Sequence, residues 1–184
     1  MINRKFENKE EYQDGKYKFF TISNGEKNYR RVLCETEGIC LIPFDINDAN
    51  NIKNVYLARY TDYLNGEEGH CCLTCESVPN HDSDFEEISE FINSELGINP
   101  EINDVYFLGR IQHQLPFSKT YKCYAIDLTQ YSKDPTGFKI DMPDEESKNR
   151  TYSLDKVNFN RIFKGDVEDS LCLSASMLLI SYIN

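Results

Sequence analysis

The stretch DFEEISEFINSEL, Asp84 to Leu96, limits more than any other what this chain can fold into. Phe85, Ile88 and Ile92 fall on one stripe of a 3.6-residue period. Ser83 or Asp84 is placed to cap the first turn, and Glu86 and Glu87 suit the positive end of a helix dipole. Gly97 can take the left-handed backbone that closes such a helix. Most of what precedes it reads as strand. Residues 17–22 and 29–34 flank the turn pair Asn24-Gly25 and predict a hairpin. GICLIPF (38–44), NVYLARY (54–60) and 70–75 read as further strands. After the helix come strands over 105–114 and 121–128, joined by LPFSK. A polar loop over 131–151 follows, then a short helix over 154–163 stopped at Gly165. A closing helix spans 170–183. Strands on both sides of one amphipathic helix predict an α+β chain, with a mixed sheet and helices on its faces.

The chain has 184 residues, 40% of them hydrophobic, with 11 Phe and 12 Tyr. That suits one domain with a substantial core. Residues 1–16 are polar and charged and read as a flexible lead or short exposed helix, leaving 17–184 as the domain. A net charge of -11 repels polyanions, so nucleic acid is not expected as a partner. No apolar run approaches the roughly 20 residues of a membrane-spanning helix. The opening MINRKFENKEEYQDGK has no apolar signal core, which points to the cytoplasm. The seven cysteines then read as buried free thiols, since free Cys packs as a small hydrophobe. The richness in Asn, Lys, Ile and Tyr fits an AT-rich coding genome, as in many bacteria and their viruses.

The ending SELGI (94–98) resembles the close of the Nudix box, and the order of elements is similar to the ADP-ribose pyrophosphatase-like branch of that superfamily. An N-terminal hairpin (17–34) precedes GICLIPFD, which resembles that branch's apolar first strand ending in Pro. NVYLARYTDY resembles its second strand, and VYFLGRIQHQLPFSKTYKCYAIDL its paired strands. FNRIFKGDVEDSLCLSASMLL is similar to its closing helix, Gly, acidic step and helix. The resemblance covers roughly residues 17 to 183 in pattern. It implies an α/β/α sandwich with an N-terminal hairpin extension over 17–34 and a core over 38–184.

Set against the box G-x5-E-x7-R-E-U-x-E-E-x-G-U (U a bulky aliphatic), Gly97 and Ile98 fix the alignment. Ile92 then takes the first aliphatic position and Glu95 the last glutamate. The box Gly falls on Glu76, the early Glu on Asp82, the Arg on Glu90, the next Glu on Phe91 and the penultimate Glu on Ser94. Only Glu95 survives of the helical carboxylates. Mg²⁺ takes oxygen ligands in a tight octahedron, and three glutamates on one helix face supply them in the family. Glu87 shares that face, but eight residues place it about 12 Å from Glu95 along the axis. Glu90 lies about 140° around the helix from Glu95. Glu90 also reverses the charge of the Arg that orients the family's glutamates. Glu76 poorly replaces a Gly wherever the backbone needs a positive φ.

The resemblance also implies where a rescue would come from. Members of the branch often supply a further carboxylate from a loop after the paired strands, where Asp141, Asp144, Glu145 and Glu146 stand. Mg²⁺ on Glu95, Asp144, Glu145 and Glu146 is therefore the hydrolase alternative. The favoured reading is a Nudix fold without pyrophosphatase activity and without a cofactor. It would serve interaction or assembly, with a protein partner or by self-association, and a larger or viral assembly fits. A third reading is a nucleotide sensor that binds an ADP-ribose-like ligand without cleaving it, with Tyr60 and Phe117 stacking on adenine. The branch commonly dimerises, often through its N-terminal strands, which gives the hairpin a role at an interface.

Other constellations carry less. Cys72 and Cys75 with His81 lack the second Cys pair of a zinc site, and they would face opposite sides of a strand. A Cys nucleophile with His70 or His113 has no supporting signature. The stripe Leu171, Ala175, Leu178, Leu179 and Tyr182 reads as core or dimer contact.

Overall fold

The computed structural model describes residues 7–14, 17–23, 28–34, 36–62, 66–77, 83–113, 118–131, 134–140 and 150–183. Strands β1 (Glu7–Asp14), β2 (Tyr17–Ser23) and β3 (Asn28–Cys34) form a three-stranded antiparallel sheet. The expected hairpin is thus β2–β3. The polar lead expected over 1–16 is corrected in part, because Glu7–Asp14 pairs with β2 in register from Glu7↔Ser23 to Asp14↔Tyr17. No apolar alternation announces this strand; the neighbour's free backbone groups recruit it. Ser118 bonds the sheet to the rest of the chain. Its N–H donates to the Val32 carbonyl and its carbonyl accepts from the Cys34 N–H, both at 2.9 Å.

The larger sheet is mixed. It contains β4 (Gly38–Ile46), β5 (Ile52–Asp62), β8 (Val105–His113), β9 (Lys119–Asp127), β10 (Lys139–Ile140) and β11 (Arg150–Asn158). Their order is β10-β11-β5-β4-β9-β8, so β8 is an edge. Two short strands, β6 (Glu68–Cys71) and β7 (Leu73–Glu76), add to β5 and β4 respectively. One strand was expected over 70–75; Cys72 breaks it in two. β4 runs parallel to β9 and antiparallel to its other neighbours. Parallel pairing needs both faces covered, which is why GICLIPF is apolar throughout rather than alternating.

Successive residues of β4 enter different layers. Ile39 and Leu41 pack under α1 (Asp84–Leu96), against Ile88, Phe91, Ile92 and Leu96. Cys40 and Ile42 face α3 (Ser170–Ile183), against Leu171, Cys172, Ala175 and Leu179. The result is an α/β/α sandwich. α1 begins and ends as its sequence indicates: Ser83 Oγ accepts from the Glu86 N–H, and Gly97 at φ 63° donates to the Asn93 carbonyl.

The α3 layer is rich in sulfur. Cys40 and Cys123 are directly opposed on β4 and β9, and all of Cys40, Cys72, Cys123 and Cys172 are fully buried. The thiols touch in a chain. Cys123 and Cys72 hydrogen-bond Cys40, and Cys172 bonds Cys72. The bonds from Cys123 and Cys72 pull the Cys40 thiol below its usual range, while burial pushes Cys72 up.

The helix expected over 154–163 is corrected. Residues 150–158 are strand β11, paired with β5 from Arg150↔Asp62 to Asn158↔Asn54. Leu154, Val157 and Phe159 satisfy a helical period as well as a strand, and the open edge of β5 decides. A helical turn, α2 (Phe159–Arg161), begins only after Asn158 caps it, and a π-turn ends it through Gly165 at φ 89°. The loop expected over 131–151 contains β10. In the α3 stripe Leu171, Ala175 and Leu179 are core, but Tyr182 is exposed, with its ring 5.4 Å from that of Tyr106. No helix among the described residues is long and apolar enough to cross a membrane.

Candidate functional site

The face of α1 that carries metal ligands in the Nudix box is occupied differently here. Phe91 is 9% exposed and belongs to the core cluster between α1 and the sheet. The Ser94 hydroxyl donates to the Phe91 carbonyl at 2.9 Å and stands 3.2 Å from Glu95 Oε1. Glu87 is buried and accepts from the Ser77 hydroxyl at 3.0 Å. Glu90 is exposed. Glu87 and Glu95 share the surroundings of Cys75: burial first, then their two charges, push that thiol up to about 12. Glu76 ends β7 opposite Gly38. Among the described non-glycine residues only Asn50 has a positive φ, so the backbone at Glu76 does not need the box glycine.

Protein cations neutralise the carboxylates around the start of α1. Lys119 Nζ lies 3.6 Å from Glu76 Oε1. Lys122 Nζ, 12% exposed, lies 2.6 Å from Asp84 Oδ1 and 3.8 Å from Glu37 Oε2. Arg110 Nε lies 3.6 Å from Glu37 Oε1. The bond from Lys122 holds the Asp84 carboxyl below the usual carboxylate range, and the same bond raises the Lys122 ammonium. Among the described residues no three His, Cys, Asp or Glu side chains converge as a metal site. The three box ligand positions on α1 do not fit a hard divalent ion: one carboxylate, Glu95, one hydroxyl already bonded to its own helix, and an aromatic ring.

Several expected site residues lie outside the described residues: Asp82, His81, Phe117, Asp141, Asp144, Glu145 and Glu146. The side chain of His113 does too. Tyr60 is described, and it does not join Glu95. It lines a separate cleft of about 600 Å³ with Glu67, Glu68, His70, Asp166 and Glu168, none of them from α1. Its ring sits against Gly69, where an added Cβ would meet the hydroxyl at 2.4 Å. His70 Nε2 lies 2.9 Å from Asp155 Oδ2. Cys72 belongs to the α3 layer and Cys75 packs against the α1 layer, so the Cys-x-x-Cys residues do face opposite ways.

A second cleft, of about 380 Å³, opens between the first half of α1 and strands β8 and β9. Phe85, Ile88, Val105, Phe107 and Tyr124 wall it, with Asp84 and Arg110 at its rim. Burial pushes the Tyr124 phenol up to about 12. Sequence reasoning missed Arg110, Lys119, Lys122, Phe107 and Tyr124. The available signal was three cations on the strands that follow the box, in a chain with 31 acidic and 20 basic residues.

No family model matches the chain, and no curated protein matches it. Solved structures do. An ADP compounds hydrolase is similar over 97% of this chain and 93% of its own, at 15% identity and a TM-score of 0.62. The complex between the C-terminal domain of mouse MUTYH and human PCNA provides a second, over 80% and 89%, at 14% identity and 0.53. A C. elegans Ap4A hydrolase is a third, over 81% and 98%, at 10% identity and 0.50. The two hydrolases have the Nudix fold. The sandwich, its N-terminal strands and the placement of α1 thus lead to one conclusion: this chain has the Nudix fold.

Proposed function

We propose that this Nudix fold works by binding and not by hydrolysis, as an interaction, assembly or recognition module. The observation that carries the reading is Phe91, whose ring completes the core where the box has a metal-binding glutamate. Ser94, committed to its own helix, and the carboxylates matched with Lys119, Lys122 and Arg110 support it. Pyrophosphate cleavage needs a divalent ion to neutralise phosphate charge and activate water. Fixed side-chain cations can do the first and not the second. That one similar structure is a protein–protein complex fits an interaction role.

The test is incubation with ADP-ribose and excess Mg²⁺ or Mn²⁺, followed by chromatography for AMP. No AMP is expected. AMP release that disappears in Glu95→Gln would overturn the proposal and establish a rebuilt metal site.

A further inference from the structure

We infer that the cleft between α1 and strands β8 and β9 is a binding site for a small molecule with a flat aromatic ring and an oxyanion, held without a metal. It does not depend on whether hydrolysis is lost. Asp84 and Glu95 are eleven residues apart, about 16 Å along the helix, so the cleft opens at the other end of α1 from the residual box carboxylate.

Shape and lining come first. The volume, about 380 Å³, is in the range of small-molecule sites, roughly 300–1,000 Å³. Phe107 and Tyr124 form a tilted, contacting ring pair in the wall of the cleft, with centroids 5.3 Å apart and planes at 52°. Phe85 and Ile88 close it from α1. A ligand ring laid on the exposed side of Phe107 finds the offset and edge contacts that aromatic groups favour. Phe107 is 47% exposed and Ile102, at the lip, 66%. Apolar surface left open to water around a concavity marks a place that something else covers.

The polar rim then selects the charge. Lys122 is committed: half-buried, and bonded to Asp84 at 2.6 Å. Arg110 is not. Its side chain is 56% exposed, its guanidinium carbon sits 5.8 Å over the Phe107 ring, and its nearest carboxylate, Glu37, is 3.6 Å from Nε. That separation is a loose ion pair and too long for a good hydrogen bond, so the terminal N–H fork is available to a ligand. A guanidinium prefers a carboxylate or phosphate, which it can hold by two parallel bonds. The molecule as a whole carries a charge of -11, and here the charges of Asp84, Glu37 and Glu87 all act on Lys122, so the pull on an anion comes from direct contact with Arg110 and not from the surrounding field.

The experiment uses the full chain in EDTA and three probes, titrated calorimetrically and by ligand-observed NMR: indole-3-acetate, its neutral amide, and cyclohexylacetate. Indole-3-acetate is expected to bind more tightly than both controls. Arg110→Gln is expected to weaken the acid about tenfold, a loss typical of one charge-assisted contact, and to leave the amide unchanged. Phe107→Ala weakens acid and amide alike, and Met177→Ala, exposed on α3, changes neither. Both site variants alter exposed side chains, so circular dichroism should show an intact fold. Equal binding of acid and amide, no effect of Phe107→Ala, or no binding up to about ten millimolar would each overturn the inference.

Discussion

Phe91 is the residue on which the proposed loss of metal chemistry turns, and its burial has a measurable consequence. A fully buried Phe removes about 200 Å² from water, which at about 25 cal/mol per Å² is worth roughly 5 kcal/mol. The unfolded chain already hides part of that area, which lowers the figure by roughly 10–40%, or about 0.5–2 kcal/mol. The ring is 9% exposed, so little more is lost at the rim. Phe91→Ala should therefore cost about 3–4 kcal/mol, in line with measured Phe→Ala substitutions in cores. With a urea slope near 2 kcal/mol/M, the unfolding midpoint should fall by about 1.5–2 M at an unchanged slope. Phe91→Glu, which restores the box residue, should do worse. It places a charge in the core between Ile88 and Ile92, close to Glu87 and Glu95. A loss below about 1 kcal/mol for Phe91→Ala, well short of the cost of emptying a core site, would mean that the ring is not core and that the metal face stands open.

Two further outcomes follow from other contacts. Ser77→Ala removes a hydroxyl that donates to the buried Glu87 carboxylate at 3.0 Å. Urea unfolding should show a loss of about 1–3 kcal/mol, and a neutral result would place Glu87 in water. The second concerns alkali. Tyr124 and Tyr131 are both raised from 10.0 to about 12, first by burial, and Tyr131 also by donating to Asp104. A raised phenol keeps its proton longer in the folded chain. The stabilisation is whole below pH 10 and is lost as pH rises from 10 toward 12. Phenolate absorbance should therefore show a late-titrating group of tyrosines that merges with the rest in urea, and Tyr124→Phe should shrink it.

Much of this fold was legible because some segments allow one reading only. Asp84–Leu96 carries a cap, an apolar stripe and a closing Gly, and the helix has those same ends. GICLIPF is apolar on both faces, and both of its faces are covered. Residues 154–158 were not legible, because their apolar spacing suits two periods and only the neighbour β5 chooses. ENKEEYQD was not legible either, since its pairing with β2 owes nothing to burial pattern. At the site, the fall of Phe91 on a box ligand position could be read from the resemblance of SELGI to the close of the Nudix box. The pairing of Lys122 with Asp84 could not, since 38 residues separate them and only the fold brings β9 to the start of α1.

The sulfur layer beneath α3 bears on how the protein survives damage. Its four thiols neighbour one another only while the chain is folded, and there they are sealed from dissolved oxidants. Once the chain opens, each is free to pair with any other, including Cys34, Cys71 and Cys75. A brief unfolding in air can then be locked in by wrong disulfides. Heating and cooling should be reversible in a strong reductant and one-way without it, since slow oxidation captures whatever fraction of the chain stands open.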